Sequence, residues 1–107
     1  MIVQDVMFVV NATVPVNPED RDEAKELFAD VAEKSRTEDG IIDYRVSTDV
    51  DDPNLFRIFE QYEDDEAFET HMQTDHIDEF MAQLPDLLGG EVDATRFDVE
   101  SSSELEF

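Results

Sequence analysis

The chain has 107 residues, thirty acids against seven basic residues, a formal charge of −23 and no cysteine. Such a length makes one domain with a modest core, and the lack of cysteine excludes disulfides and thiolate metal sites. No basic patch is left to meet the phosphates of nucleic acid or an anionic membrane surface, so neither is an expected partner.

Apolar residues make up 40% of the chain and fall in periodic patterns, which argues for a folded domain with a solvated acidic surface and against disorder. With Lys25 and Lys34 as the only lysines, the balance suits a halophilic protein, whose self-repulsion concentrated salt would screen. The longest apolar run, residues 6–10, is too short to span a membrane. No basic region followed by an apolar segment opens the chain, so a cytoplasmic protein is expected.

Residues 4–14 alternate as a strand, with Val6, Phe8 and Val10 on one face and Met7 and Val9 on the other. Both faces are therefore apolar at its centre. Asn17 is a good helix cap and Pro18 fits the first helical position. Ala24, Leu27, Phe28, Val31 and Ala32 then form an amphipathic stripe. Gly40, after Asp39, is expected to close the helix in a left-handed cap. Residues 41–48 read as a second strand with Ile42, Tyr44 and Val46 on one face. The Asp-Asp-Pro-Asn run at 51–54 is a turn into a third strand at 55–63.

Asp64 or Asp65 can cap the next helix, in which Phe68, His71, Met72 and Asp75 share one stripe. Thr74 and Asp75 interrupt it, and either can cap a second segment carrying Ile77, Phe80, Met81 and Leu84. Pro85 ends that segment, and Gly89 and Gly90 turn the chain into a last strand at 92–99. There Val92 and Ala94 are out of phase with Phe97 and Val99, which predicts a bulge near Thr95. Residues 101–107 form an acidic tail outside a domain of residues 1–100.

Strand, helix, strand, strand, helix, strand, joined by right-handed crossovers and one hairpin, predicts an α+β fold. It is a ferredoxin-like βαββαβ sandwich with both helices on one face of the sheet. The other face should then read polar, yet the first and third strands carry large apolar residues on both sides. A second copy of the chain is the simplest cover, giving a homodimer, with larger assemblies left open.

His71 is the foremost candidate for chemistry. It lies beside Phe68 and Met72 on the helix stripe, facing the sheet or a pocket. Its imidazole, with an unperturbed pKa of about 6.5, can take a proton at neutral pH. His76 follows five residues later, about 140° around a continuous helix. The pair therefore lacks the spacing of two zinc ligands on one face, and no metal site is expected. Tyr62 and Glu60 share a strand face, where Tyr62 can wall a pocket and offer a hydroxyl and Glu60 can pair with an arginine or histidine. Asn11 can supply amide donors. Among Arg45, Arg57 and Arg96, most are expected in ion pairs, with one able to hold an anionic substrate. A glycine-rich phosphate loop and a nucleotide fingerprint are both missing.

The run Glu60-Gln61-Tyr62, then Ala67, then His71-Met72-Gln73-Thr74-Asp75-His76 and Phe80 resembles the antibiotic biosynthesis monooxygenase domain, and within it the small quinol monooxygenases. The resemblance implies a dimeric α+β barrel with two sheets packed face to face. It also implies an oxygenase that acts on a small phenolic or quinol substrate without a cofactor. His71 would be the base, with Tyr62 and Asn11 bonding the developing oxyanion. Phe8, Phe68, Met72 and Phe80 would form apolar walls, and Glu60 and His76 would complete the substrate site. Haem-degrading members of the group use a tryptophan and a histidine where this chain has Tyr62 and Met81, so a haem ligand is missing. Two alternatives stay open: an isomerase of a small phosphorylated carbonyl compound, in which His71 moves a proton, and a non-enzymatic barrel that binds a small ligand.

Overall fold

A computed structural model describes residues 7–107; the start of the first predicted strand, residues 4–6, lies outside them. The elements follow the predicted order: β1 (Phe8–Pro15), α1 (Arg21–Ser35), β2 (Ile41–Thr48), β3 (Leu55–Tyr62), α2 (Asp65–Met72), α3 (Asp75–Gln83) and β4 (Asp93–Asp98). Short 3-10 turns at Pro18–Asp20 and Leu84–Leu87 lead into α1 and out of α3. The four strands form one antiparallel sheet in the order β2-β3-β1-β4, with the helices on one face. This is the ferredoxin-like α+β sandwich. Among the described residues no helix is long and apolar enough to cross a membrane. Residues 101–107 are exposed and have no regular structure.

Two aromatic groups fill the space between sheet and helices. Phe28 of α1 stacks on Phe56 of β3 at 4.7 Å and meets Phe80 of α3 edge-on at 5.3 Å. Phe8 of β1 stacks on Tyr62 of β3 at 5.0 Å, and Phe68 of α2 closes edge-on against both. Each ring sits where the strand or helix period predicts. Burying such rings contributes more than any other side chain could in a core of this size.

Several local expectations are corrected. Asn17 does not cap α1 with its side chain; its amide bonds Asp20 while Pro18 opens a 3-10 turn. The first helix ends at Ser35, before Gly40, and no described glycine has a positive φ. Gly40 is required by space: a Cβ there would lie 2.4 Å from the Cβ of Ala67, so β2 and α2 approach as closely as only glycine allows. The register of β2 shifts between Ile41 and Asp43. That bulge buries Ile41 and turns Ile42 out to solvent, while Tyr44 stays buried. No bulge occurs in β4, which pairs with β1 without a break from Asp93 to Asp98. Val92 precedes the strand, so its phase imposes nothing.

The second face of the sheet carries Val9, Asn11 and Thr13 of β1 opposite Phe59 of β3 and Phe97 of β4. Phe59 is 38% exposed and Phe97 51%, so large apolar side chains do stand on the face that the helices leave open.

Candidate functional site

The site is built on the break between α2 and α3. Asp64 accepts the backbone N–H of Ala67 at 2.8 Å and starts α2. The chain stops being helical at Gln73, and Thr74 starts α3 by accepting from Ile77 N–H while its hydroxyl donates to the carbonyl of His71 at 2.7 Å. One threonine thus satisfies groups on both sides of the break. The turn rotates His76 back toward His71, and the ring centroids lie 6.0 Å apart. The wide separation expected on a continuous helix does not hold.

Both rings converge on Glu38, in the connection between α1 and β2. His71 Nδ1 and His76 Nε2 each lie 2.8 Å from the same oxygen, Glu38 Oε2. His71 is 1% exposed. For a carboxylate oxygen to accept from both rings, His71 must carry its proton on Nδ1 and His76 on Nε2. The free nitrogen of His71 is then Nε2, an acceptor.

His71 also lines an apolar cavity of about 560 Å³ between the sheet and the helices. Phe8, Phe68, Met72 and Phe80, all expected as walls, line it, and so does Glu60. Met72, Met81 and Val92 border the cavity and remain exposed, which marks its mouth. Arg96 of β4 stands at the edge with its guanidinium 3.7 Å from the Phe8 ring centre. It is held by Asp65 at 2.7 Å and Asp98 at 2.8 Å. Arg45 and Arg57 pair with Asp43 and Asp49, so the expectation of paired arginines holds for all three.

Three predicted site residues lie elsewhere. Tyr62 is fully buried behind the cavity wall, and its hydroxyl donates to Glu60 Oε1, so it positions Glu60 and does not meet the cavity. Asn11 is exposed on the opposite face of the sheet, because an odd-numbered position on β1 points away from Phe8 and Val10. His76 reaches the site only through Glu38.

Two groups complete the site that the residue pattern did not single out. Glu38 is one acid among thirty in a loop, and nothing local distinguishes it. Tyr44, noted only as a strand residue, lines the cavity with its ring 5.6 Å from that of His71. Burial, helped by the charges of Glu60 and Glu38, pushes the Tyr44 hydroxyl well above its usual range, so it stays a donor. Burial likewise raises the Glu60 carboxyl, against the pull of the Tyr62 hydrogen bond and the nearby His71. The cavity therefore presents, on apolar walls, one fixed imidazole, one phenol donor and one carboxyl group. This is the form of a small-molecule site.

The model of the antibiotic biosynthesis monooxygenase family matches residues 7–83. YcnE of Bacillus subtilis (strain 168), named as a candidate monooxygenase, is 31% identical over 90 residues, covering 84% of this chain and 95% of that protein. Among solved structures, Rv0793 of Mycobacterium tuberculosis superposes with a TM-score of 0.85 at 23% identity, over 92% of this chain and 99% of that one. A Nitrosomonas europaea protein, named as a candidate antibiotic biosynthesis monooxygenase, gives 0.86 at 19% identity, over 97% and 100%. The two structures show the shared fold. The family match spans β1 to α3, and so every residue lining the cavity except Leu84 and the four at positions 92 and 94–96; it establishes that the chain belongs to the antibiotic biosynthesis monooxygenase family.

Proposed function

We propose that the chain is a cofactor-independent monooxygenase acting on a small phenol or quinol, with His71 as its base. The observation that carries this is a buried imidazole on the wall of an apolar cavity, with Nδ1 fixed by Glu38 at 2.8 Å. A carboxylate on Nδ1–H sets the tautomer and stabilises the imidazolium that forms when Nε2 takes a proton. A quinol of one or two rings suits a cavity of about 560 Å³.

In this mechanism Nε2 of His71 removes a hydroxyl proton from the substrate. The Tyr44 hydroxyl donates to the phenolate oxygen, taking the part that the family resemblance implied for Tyr62 and Asn11. Glu60, held by Tyr62, accepts from the second hydroxyl. The anion is a strong reductant and transfers electrons to dioxygen; a carbon–oxygen bond forms, and the peroxide collapses with loss of water. One quinol and one dioxygen then give one hydroxyquinone and one water. The apolar walls exclude bulk water from the anion and strengthen its bonds to Tyr44 and His71.

The uncovered sheet face, with Val9 beside Phe97 and Phe59 beside Asn11, supports assembly as a homodimer through that face. The excess of acids supports a cytoplasm of high salt as the working environment.

The test is dioxygen uptake by metal-stripped, colourless protein with reduced quinols. His71→Ala should lower the rate by roughly 10² to 10⁴-fold, the usual worth of a positioned base. Tyr44→Phe should lower it less, since the wall is kept and one donor lost. Full turnover by His71→Ala on a verified substrate would remove His71 from the mechanism.

A further inference from the structure

We propose that Glu38, His71 and His76 form a binding site for a first-row divalent cation of the zinc type. One ligand atom from each, a ring nitrogen of His71, one of His76 and a Glu38 oxygen, lies within 4.8 Å of the other two. A tetrahedral zinc ion with bonds of about 2.0–2.2 Å needs neighbouring ligand atoms about 3.3 Å apart. The two 2.8 Å contacts to Glu38 Oε2 would open by about 0.5 Å. The two nitrogens would close by at most about 1.5 Å. Side-chain torsions at the helix break can supply both movements.

Two further observations point to a ligand. Glu38 Oε1 is buried and has no hydrogen-bond partner. A carboxylate oxygen left so is costly, and a cation held by both oxygens of Glu38 would satisfy it. The second observation is the far side of the trio. Glu38 lines an outer cleft of about 520 Å³ together with Asp39, Glu63, Asp64 and Glu66. His71 instead lines the apolar cavity. Glu38 thus borders an acidic cleft and His71 an apolar chamber. Five carboxyl groups concentrate cations on the outer side, where Glu38 borders the cleft.

The donor set selects the metal. Two imidazole nitrogens and one carboxylate suit zinc and its late first-row neighbours, whereas magnesium and calcium prefer oxygen alone. Coordination through Nδ1 also moves the ring proton of His71 to Nε2, so a bound cation and a free base exclude each other. That consequence rests on His71 being the base; the cation site itself does not.

Metal-stripped protein would be titrated with zinc chloride in molar potassium chloride with excess magnesium, which occupies surface sites made only of oxygen. One zinc per chain should bind and raise the melting temperature, and in the wild-type protein both imidazole rings should shift in the NMR spectrum. Glu38→Gln and His76→Ala each remove a ligand, and should weaken binding by more than the ~10- to 100-fold that loss of a supporting partner costs. No stoichiometric binding, binding that leaves both rings unshifted, or unchanged affinity in both variants would overturn the site. Zinc bound here with undiminished quinol-dependent dioxygen uptake would keep the site and remove His71 as the base, so the two proposals fail separately.

Discussion

Gly40→Ala tests whether the approach of β2 to α2 positions His71. The new Cβ would lie 2.4 Å from the Cβ of Ala67 and 3.2 Å from its Cα. Carbon atoms pack at about 3.5–4.0 Å, so the two segments must part by roughly 1 Å. Neither can yield cheaply. The carbonyl of Gly40 accepts the N–H of Glu63 at 3.0 Å, and Ala67 N–H is held by the capping carboxylate of Asp64. Overpacking of this kind costs about 1–3 kcal/mol. Ala67→Gly alone should cost about 0.5–1 kcal/mol through helix entropy. Together they should cost at least about 1 kcal/mol less than their sum, because the second change removes the atom that the first one strikes. Urea unfolding in molar potassium chloride at fixed protein concentration measures all four corners of this cycle. Oxygenase turnover adds a second readout, since His71 lies one helical turn beyond Ala67 and a 2.8 Å bond to Glu38 does not survive a lengthening of that size. Additivity within about 0.5 kcal/mol would refute the argument from close approach.

Burial raises the Glu60 carboxyl above its usual 4.5. The folded state then binds the proton more tightly than the unfolded state does. Stability from this group is complete below 4.5 and is lost as pH rises through the raised value. Wild-type stability should therefore fall relative to Glu60→Gln as pH rises above 4.5, and a pH-independent difference in chemical denaturation would contradict the burial of this group. Melting temperature should climb as the Debye length shrinks from ~10 Å at 0.1 M to ~3 Å at 1 M salt; an unchanged value would mean that the acids are already compensated by pairing. Phe59→Asp with Phe97→Asp should convert a sedimenting dimer to monomer at micromolar concentration, and monomeric wild-type protein would end the proposal of a dimer through that face.

The order of elements and the break between α2 and α3 were legible in the sequence, because period, proline and capping residues act within a few positions. His71 with its neighbours Phe68, Met72 and Phe80 was legible for the same reason: a helical stripe against a strand face leaves little choice of direction. Ile42 and Thr95 show where local pattern stops. One bulge was needed and one was not, and the register of the neighbouring strands, not the alternation, decided both. Gly40 looked like a helix stop, yet its reason is a helix that arrives 27 residues later at Ala67. Glu38 could not be distinguished from the other acids of the chain. Its partners lie 33 and 38 residues away, and only the packing of the α1–β2 connection against the broken helix brings one carboxylate between two imidazoles. Residue types and their periods settled what each segment would become; contacts between segments distant in the chain settled which groups share a site.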